Sequence, residues 1–177
     1  MKKTFIFCVL LFLFSSCKSV QLGSKLDPKT DRFQADNAKV RVITEISIDA
    51  NLLKPLLLVQ YERDLEPLKS INFFNAVMTN DQFEDAIIKA GVADEVKSFR
   101  NRKGQHIAAT LFRPFILLEH YWGKNNTDAG IRLYEPVTEK VVFESEMRYG
   151  VLSLPQGDPR YYLPLYNSLL DYLRKQQ

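Results

Sequence analysis

Residues 131–149 read Ile131-Arg-Leu-Tyr-Glu-Pro-Val-Thr-Glu-Lys-Val-Val-Phe-Glu-Ser-Glu-Met-Arg-Tyr149 and carry the clearest structural pattern in the chain. Two runs with strand composition, Ile131–Tyr134 and Lys140–Tyr149, flank the turn-like segment Glu135–Glu139, so we predict a β-hairpin. Alternate residues of the second strand divide into two sets: Val141, Phe143, Ser145, Met147 and Tyr149, then Val142, Glu144, Glu146 and Arg148. This alternation predicts an antiparallel sheet with one solvated face.

Three further stretches have strand character. Lys39–Ile48 is rich in β-branched residues and roughly alternates between apolar and polar. Leu52–Tyr61 is an apolar run that fits either a strand or a buried helix, with Pro55 interrupting it. Ala108–Trp122 is mostly apolar and predicts one or two strands, with Pro114 as a bulge, an edge or a break.

Helix signals lie before and after this region. Thr79-Asn-Asp-Gln82 has the spacing of a capping box, so we predict a helix over Asp81–Ala90 that ends at Gly91. Near the end of the chain, Leu163–Lys175 carries apolar residues at helical spacing, with Pro164 in the first turn. The sequence therefore predicts a helix that closes the domain.

A shorter helix and a polar connection are expected between the capped helix and the apolar run. Val92–Phe99 has the composition of a second short helix. Arg100-Asn-Arg-Lys-Gly104 is polar and ends at a glycine, so we predict a loop there.

These elements predict one α+β domain, a largely antiparallel sheet with helices on one face and a C-terminal amphipathic helix. The predicted divisions are 1–16, 17–37 and 38–177, and the last is of ordinary size for one domain. The net charge is +3 and the charges are interspersed, which argues against a nucleic-acid partner.

The N-terminus has the features of an export signal. Met1-Lys-Lys3 is cationic, and the apolar stretch that follows reaches only to Phe14, about half of the roughly 20 residues that span a bilayer. Leu13-Phe-Ser-Ser-Cys17 then resembles the lipobox of bacterial lipoproteins, although Phe14 departs slightly from the usual pattern. The resemblance implies that residues 1–16 are a cleaved signal peptide and that Cys17 carries the lipid.

The lipobox also has implications for thiols and for location. Cys8 lies in the removed segment and Cys17 is lipidated, so the mature chain has no free thiol for a disulfide, metal or nucleophile. Lys18-Ser19 lacks the aspartate associated with inner-membrane retention. In a cell with two membranes the resemblance therefore implies the outer membrane, facing the periplasm, and the polar residues 18–37 suggest a flexible tether.

A second resemblance concerns the order of elements in residues 38–175. The capped helix ending in Lys89-Ala-Gly91, the hairpin Ile131–Phe143 and the closing helix look like the small α+β domains of outer-membrane lipoproteins that activate peptidoglycan synthases. The amino-terminal domain of TolB is similar. No residue motif accompanies this pattern, and the resemblance implies a non-enzymatic docking module.

Catalytic and metal-binding patterns are weak throughout the sequence. His106 and His120 lack the spacing of a metal site, and Glu119 and His120 are strand neighbours that point to opposite faces. No nucleophile elbow, phosphate loop or dinucleotide fingerprint is present. Glu144 and Glu146 share one strand face, a pairing that a glycan hydrolase could use, but a solvated sheet face is the commoner explanation. We therefore expect no metal, no cofactor and no enzymatic activity.

Two sets of residues are candidates for contact with a ligand or a partner. Tyr121, Trp122 and Tyr134 could form an aromatic platform for sugar rings or a protein, with core packing as the alternative. Arg100, Arg102 and Lys103 lie in the densest basic cluster, which could meet an anionic group or remain a solvated loop.

Three functions follow, in order of preference. The first is a lipid-anchored envelope protein whose non-enzymatic domain docks onto a protein partner or assembly near the membrane. The second is an envelope lipoprotein that binds a glycan or a small amphiphile, and the third is an envelope hydrolase. A pocket lined by Tyr121, Trp122 and Tyr134 would favour the second, and an exposed apolar patch would favour the first.

Overall fold

The computed structural model describes residues 25–35, 38–123, 128–148 and 159–177. The predicted signal peptide, Cys17 and Tyr149 lie outside these residues. The strands within them are β1 (Leu26–Asp27), β2 (Arg32–Phe33), β3 (Val40–Glu45), β4 (Leu57–Val59), β5 (Val77–Thr79), β6 (Ile116–Trp122), β7 (Asp128–Glu135) and β8 (Lys140–Arg148). The helices are α1 (Ala50–Leu53), α2 (Leu65–Ser70), α3 (Asn80–Lys89), α4 (Ala93–Val96), α5 (Arg102–Leu111) and α6 (Leu163–Arg174), with 3-10 turns at Glu62–Asp64 and Pro159–Tyr162.

The predicted hairpin is confirmed as β7 and β8, but its alternation is interrupted. Leu133 pairs with Phe143 and Tyr134 pairs with Val141, which leaves Val142 as an extra residue in a bulge. The bulge reverses the alternation of β8. Val142 therefore packs on the same face as Phe143, and Val141 packs on the opposite face with Tyr134, so the predicted grouping of Val141 with Phe143 is wrong.

Six strands form the main sheet in the order β3-β8-β7-β6-β4-β5. Pairing is antiparallel from β3 to β6 and parallel among β6, β4 and β5. Leu52–Tyr61, which fits either a strand or a helix by sequence, contains the end of α1 and the whole of β4. All three residues of β4 are fully buried, as expected for a strand covered on both faces.

The predicted α+β class is confirmed, and both faces of the sheet carry helices. The long helix α6 packs on one face, where Tyr166, Leu169 and Tyr172 are almost inaccessible to solvent. On the other face α3 and α5 cover only the end near β4, through residues such as Phe83 and Ala108. The remainder of that second face lacks a helix among the described residues, so part of the sheet faces solvent as predicted.

Helix α5 corrects two sequence predictions. Arg100–Gly104 was expected to be a loop and Ala108–Leu111 part of a strand, but both contribute to a helix that begins at Arg102. The side chain of Asn101 caps it by accepting a hydrogen bond from the backbone N–H of Gly104 at 2.9 Å. The buried face consists of small and polar residues, Gly104, Gln105, Ala108 and Ala109.

The capped helix and the C-terminal helix are confirmed, whereas the helix predicted over Val92–Phe99 is shorter and covers only Ala93–Val96. Thr79 and Gln82 form the capping box, with the Thr79 N–H bonded to the Gln82 amide oxygen at 3.0 Å. Gly91 follows the helix with a φ of 74°, the left-handed conformation that glycine adopts without steric cost. Helix α6 begins at Leu163 with Pro164 in its first turn. Among the described residues, no helix is both long enough and apolar enough to cross a bilayer.

Residues 25–35 differ from the predicted tether. They form the β1–β2 hairpin, which lies against α6, and Phe33 is buried there. The side-chain amide of Asn167 accepts from the Phe33 N–H at 2.9 Å and donates to the Phe33 carbonyl at 3.0 Å. The flexible-tether prediction is therefore wrong for residues 25–35, because a buried aromatic side chain and paired backbone groups hold them to the domain.

Candidate functional site

The uncovered part of the second sheet face carries two rows of side chains across four strands. In the first row Arg41, Glu146, Gly130 and Tyr121 lie opposite one another on β3, β8, β7 and β6. In the second row Thr44, Glu144, Arg132 and Glu119 occupy the corresponding positions. We call this surface the open face. Because the strands are paired through the backbone, the register alone brings these residues together.

Glu119 is the centre of an ion cluster at one end of the open face. Its Oε2 accepts from Arg132 Nε at 2.7 Å and from Arg102 at 2.8 Å. Burial alone would raise the pKa of Glu119, but the hydrogen bonds and positive charges of the two arginines hold that pKa below its ordinary value. Arg102 also lies 3.7 Å above the centre of the Tyr134 ring. Tyr134 is therefore covered by Arg102.

Replacing Glu119 with glutamine is expected to destabilise the domain by about 1–2 kcal/mol at pH 7, since two charge-assisted hydrogen bonds are weakened at a partly exposed site. The folded-state pKa is lowered, so the stabilisation is complete above the ordinary value of 4.5 and disappears as the pH falls through the folded-state pKa. Urea denaturation of both chains at pH 7 and at about pH 2.5 measures this difference. The Glu119 ion pairs are not the source of this stability if Glu119→Gln loses the same unfolding free energy at both pH values. The same conclusion follows if the exposed control Asp85→Asn loses as much as Glu119→Gln.

Tyr121 lies directly over the backbone of Gly130. A Cβ at position 130 would come within 2.4 Å of Tyr121 Cζ, so only glycine leaves space for the ring. Burial and the negative charges of Glu144 and Glu146 raise the pKa of Tyr121 far above its ordinary value, which keeps the phenol neutral. Its buried hydroxyl interacts with the carboxylates of both glutamates, and these hydrogen bonds also favour the protonated phenol.

A pocket of about 660 Å³ opens beside Tyr121, and we call it the end pocket. Its lining consists of Arg41, Ile43, Tyr121, Trp122, Gly123, Asp128, Glu144 and Glu146. Trp122 is 48% exposed at its rim, and Arg41 bonds to Glu146 Oε2 at 2.7 Å. The pocket thus combines two aromatic side chains with three carboxylates and one guanidinium, which suits a ligand with many hydroxyl groups.

A second cleft, of about 430 Å³, lies at the carboxyl ends of β4 and β5. The chain leaves β4 toward α2 on one face of the sheet and leaves β5 toward α3 on the other, which opens a crevice of the kind that binds ligands in parallel sheets. The lining is polar and includes Gln60, Asn80, Arg100 and Glu119. The buried Asn80 Oδ1 has no hydrogen-bond partner there within the described residues.

A buried polar network lies on the face opposite Glu119. His120 Nε2 and Asp64 Oδ2 are 2.9 Å apart, and the Tyr166 hydroxyl donates to Asp64 Oδ1 at 2.7 Å. The ring of Tyr162 packs edge-on against His120, with centroids 4.3 Å apart. Arg63 lies 4.4 Å from the Tyr61 ring centre and 3.9 Å from Asp64 Oδ1. The network therefore joins the 3-10 turn at Asp64, β6 and α6.

This network has the partners of an acid–base pair but lacks a nucleophile. The hydrogen bonds of the described residues connect His120 to no serine, threonine or cysteine. His106 instead contacts the Pro136 carbonyl at 2.9 Å. Within residues 25–35, 38–123, 128–148 and 159–177, no three His, Cys, Asp or Glu side chains are grouped as metal ligands. The geometry indicates a structural role for His120.

The residues that the sequence suggested as ligand or partner contacts lie at different sites in the structure. Tyr121 and Trp122 meet at the end pocket, as the aromatic-platform hypothesis requires, but the buried Tyr134 does not join them. Arg100 lines the strand-end cleft, Arg102 bonds to Glu119, and Lys103 is exposed on α5. The basic cluster therefore does not form one binding surface. Arg41 and Asp64 were missed, because their partners are distant in sequence and no local pattern marks them.

Comparison with known proteins identifies no family for this chain. No family model and no curated protein matches the chain. Among solved structures, a PelC dodecamer from Paraburkholderia phytofirmans matches with a TM-score of 0.38 and 9% identity, over 79% of this chain and 99% of that one. A PelC variant dodecamer from the same organism matches with a TM-score of 0.35 and 8% identity, over 77% of this chain and 97% of that one. Both scores are too low to transfer a fold or a function.

Proposed function

We propose that this chain is a lipid-anchored cell-envelope protein, without enzymatic activity, whose domain docks onto a protein partner through the outer edge of β3. The anchor is the lipid on Cys17, and the location is the outer membrane, facing the periplasm, in a cell with two membranes. The observation that carries the proposal is the exposed apolar edge of the sheet.

Strand β3 is the first strand of the main sheet and pairs, within the described residues, only with β8. Val42, Ile43 and the nearby Ile46 are 46%, 44% and 43% exposed. Soluble proteins usually protect such edges with charges, bulges or covering elements, because an open edge pairs readily with another strand. Here a bulge and two charged residues are present, yet three apolar side chains within five positions still face solvent.

The occupant that fits this edge is an extended segment of the partner protein, added as a seventh strand. Main-chain hydrogen bonds supply affinity in this mode of recognition, and side chains select the register. Arg41 and Glu45 bracket the exposed pair Val42 and Ile43 with opposite charges. A segment with apolar residues at its centre and complementary charges at its ends matches that pattern.

The carboxylates support a non-enzymatic role. A hydrolase needs a general acid whose pKa is raised toward neutrality. In the strand-end cleft Glu119 is a half-buried carboxylate, and its pKa is lowered. A lowered pKa keeps this group ionised, as an ion-pair partner requires.

Photocrosslinking in the native cells tests the docking proposal. A photoreactive amino acid placed at Val42 is expected to give one discrete adduct with an envelope protein, identified by mass spectrometry. The same residue at Ile88, which is 64% exposed on α3, is the matched control and is expected to give none. The double variant Val42→Lys/Ile46→Lys should abolish binding of the identified partner by the purified chain, whereas Ile88→Lys should preserve it.

The anchor is tested in the same cells. The Cys17→Ala chain is expected to lose the adduct, because it no longer stays at the membrane where the partner lies. An undiminished adduct from that chain contradicts the role of the lipid. Absence of any adduct from position 42, or an adduct joining two copies of this chain, overturns docking onto a different protein.

A further inference from the structure

We propose that the end pocket is a binding site for a neutral pyranose ring of a glycan. This site shares Arg41 and Ile43 with the docking edge of β3, but its aromatic side chains lie on β6, so a sugar needs no partner strand in order to bind. It therefore adds a second binding activity to the proposed docking.

The aromatic side chains provide the surfaces on which a sugar ring packs. Tyr121 is held flat against Gly130, and Arg132 lies 5.5 Å from the centre of its ring. Trp122, the next residue, lies at the rim with about half of its surface exposed. Aromatic rings combine a large apolar contact area with a polar edge, which matches the mixed surface of a pyranose.

The polar groups of the pocket are suited to hydroxyl ligands. Glu144, Glu146 and Asp128 offer carboxylate oxygens, which only accept hydrogen bonds, and Arg41 offers N–H donors. A sugar hydroxyl both donates and accepts, so it can bond to either kind of group. The buried Tyr121 hydroxyl interacts with Glu144 and Glu146, so it helps to position the two carboxylates that line the pocket.

Charge and composition restrict the ligand class further. Among the described lining residues, the carboxylates of Glu144 and Glu146 outnumber the guanidinium of Arg41, so the pocket disfavours acidic sugars and phosphates. Ile43 is the one aliphatic side chain among the described lining residues, and the larger apolar surfaces there are aromatic, which suits a sugar ring better than an acyl chain. A neutral sugar satisfies both restrictions.

The size and rigidity of the pocket agree with a small-ligand site. Its volume of about 660 Å³ lies within the range of roughly 300–1,000 Å³ that is usual for such sites. The polar residues are fixed by cross-strand pairing, since Arg41 lies opposite Glu146 and Tyr121 lies opposite Gly130. A site held in place before binding loses less conformational entropy when the ligand enters.

The test is binding of the purified full chain to immobilised oligosaccharides, followed by calorimetry. The panel contains gluco-, manno-, galacto- and N-acetylglucosamine oligomers as neutral glycans and oligogalacturonate as an acidic one. We expect binding to at least one neutral oligomer and none to oligogalacturonate. Trp122→Ala and Tyr121→Phe should each weaken that binding about tenfold, a change of about 1.4 kcal/mol.

Two controls separate binding from folding. Ile88→Ala changes an exposed apolar residue far from the pocket and should leave affinity unchanged. Tyr121→Phe keeps the ring over Gly130 and removes only the hydroxyl, so the variant should still unfold in one cooperative thermal transition. The proposal is overturned by binding to no neutral oligomer, by preference for oligogalacturonate, or by affinities that both pocket variants leave intact. None of these outcomes affects the crosslinking result at β3.

Discussion

Replacing Asp64 with alanine is expected to destabilise the domain by about 3–5 kcal/mol, because two buried side chains lose their hydrogen-bond partner and Arg63 loses a nearby negative charge. Asp64 is 1% exposed, and its two oxygens contact His120 and the Tyr166 hydroxyl. The alanine variant leaves both partners buried without their acceptor and removes the negative charge beside Arg63. Since these partners belong to different elements, the change should weaken the contact of α6 with the sheet.

Urea denaturation of the purified chain measures this loss as a shift in the unfolding midpoint at constant slope. Asp64→Asn retains an oxygen for Tyr166 and a polar group for His120, so a smaller loss is expected. Tyr166→Phe should cost about 1–3 kcal/mol, because one Asp64 oxygen then lacks its donor. If Asp64→Ala unfolds at the same urea concentration as the parent, the network is not a major source of stability.

Replacing Gly104 with alanine should destabilise the domain by about 1–3 kcal/mol or more, as overpacking of a closed contact does. A Cβ at this position would lie 1.8 Å from the Ser98 carbonyl oxygen, and that oxygen belongs to backbone that cannot rotate away. Alanine in an open helix position would instead stabilise by about 1 kcal/mol relative to glycine. A loss of stability would therefore show that close packing at Gly104 dominates, and a gain would show that helix propensity dominates.

Thermal or urea unfolding of Gly104→Ala provides the measurement, and Lys103→Ala is the matched control. Lys103 is the preceding residue of α5 and is exposed, so its replacement is expected to change stability by no more than about 0.5 kcal/mol. A stabilised Gly104→Ala chain would show that α5 lies farther from Ser98 than the structure indicates.

Local sequence pattern predicted the elements whose signals are contained within a few residues. The capping box at Thr79–Gln82, the hairpin around Glu135–Glu139 and the closing helix at Leu163 were all found in this way. Helix α5 was not, since Gly104, Ala108 and Ala109 have side chains too small to mark a buried face. The bulge at Val142 was also invisible, because a single extra residue leaves the composition of a strand unchanged.

The candidate site could be predicted only in part for a similar reason. Tyr121 and Trp122 were candidates because aromatic residues at the end of a strand favour recognition. Arg41 and Glu146 are 105 positions apart, and the strand order brings them together. The Asp64–Tyr166 bond spans 102 positions in the same way. Such pairs depend on sheet register and on helix placement, which a single sequence does not specify.

The β1–β2 hairpin has a mechanical consequence for an anchored protein. Asn167 clamps Phe33 through two hydrogen bonds, and Arg174 of α6 donates to the Asp31 carbonyl at 2.7 Å. If Cys17 carries the lipid, the seven residues 18–24 separate it from the described fold, a distance of at most about 25 Å. A force that pulls on the membrane anchor would then act on the contact between the hairpin and α6 before it acts on the sheet. The β1–β2 hairpin would therefore be the first element to detach.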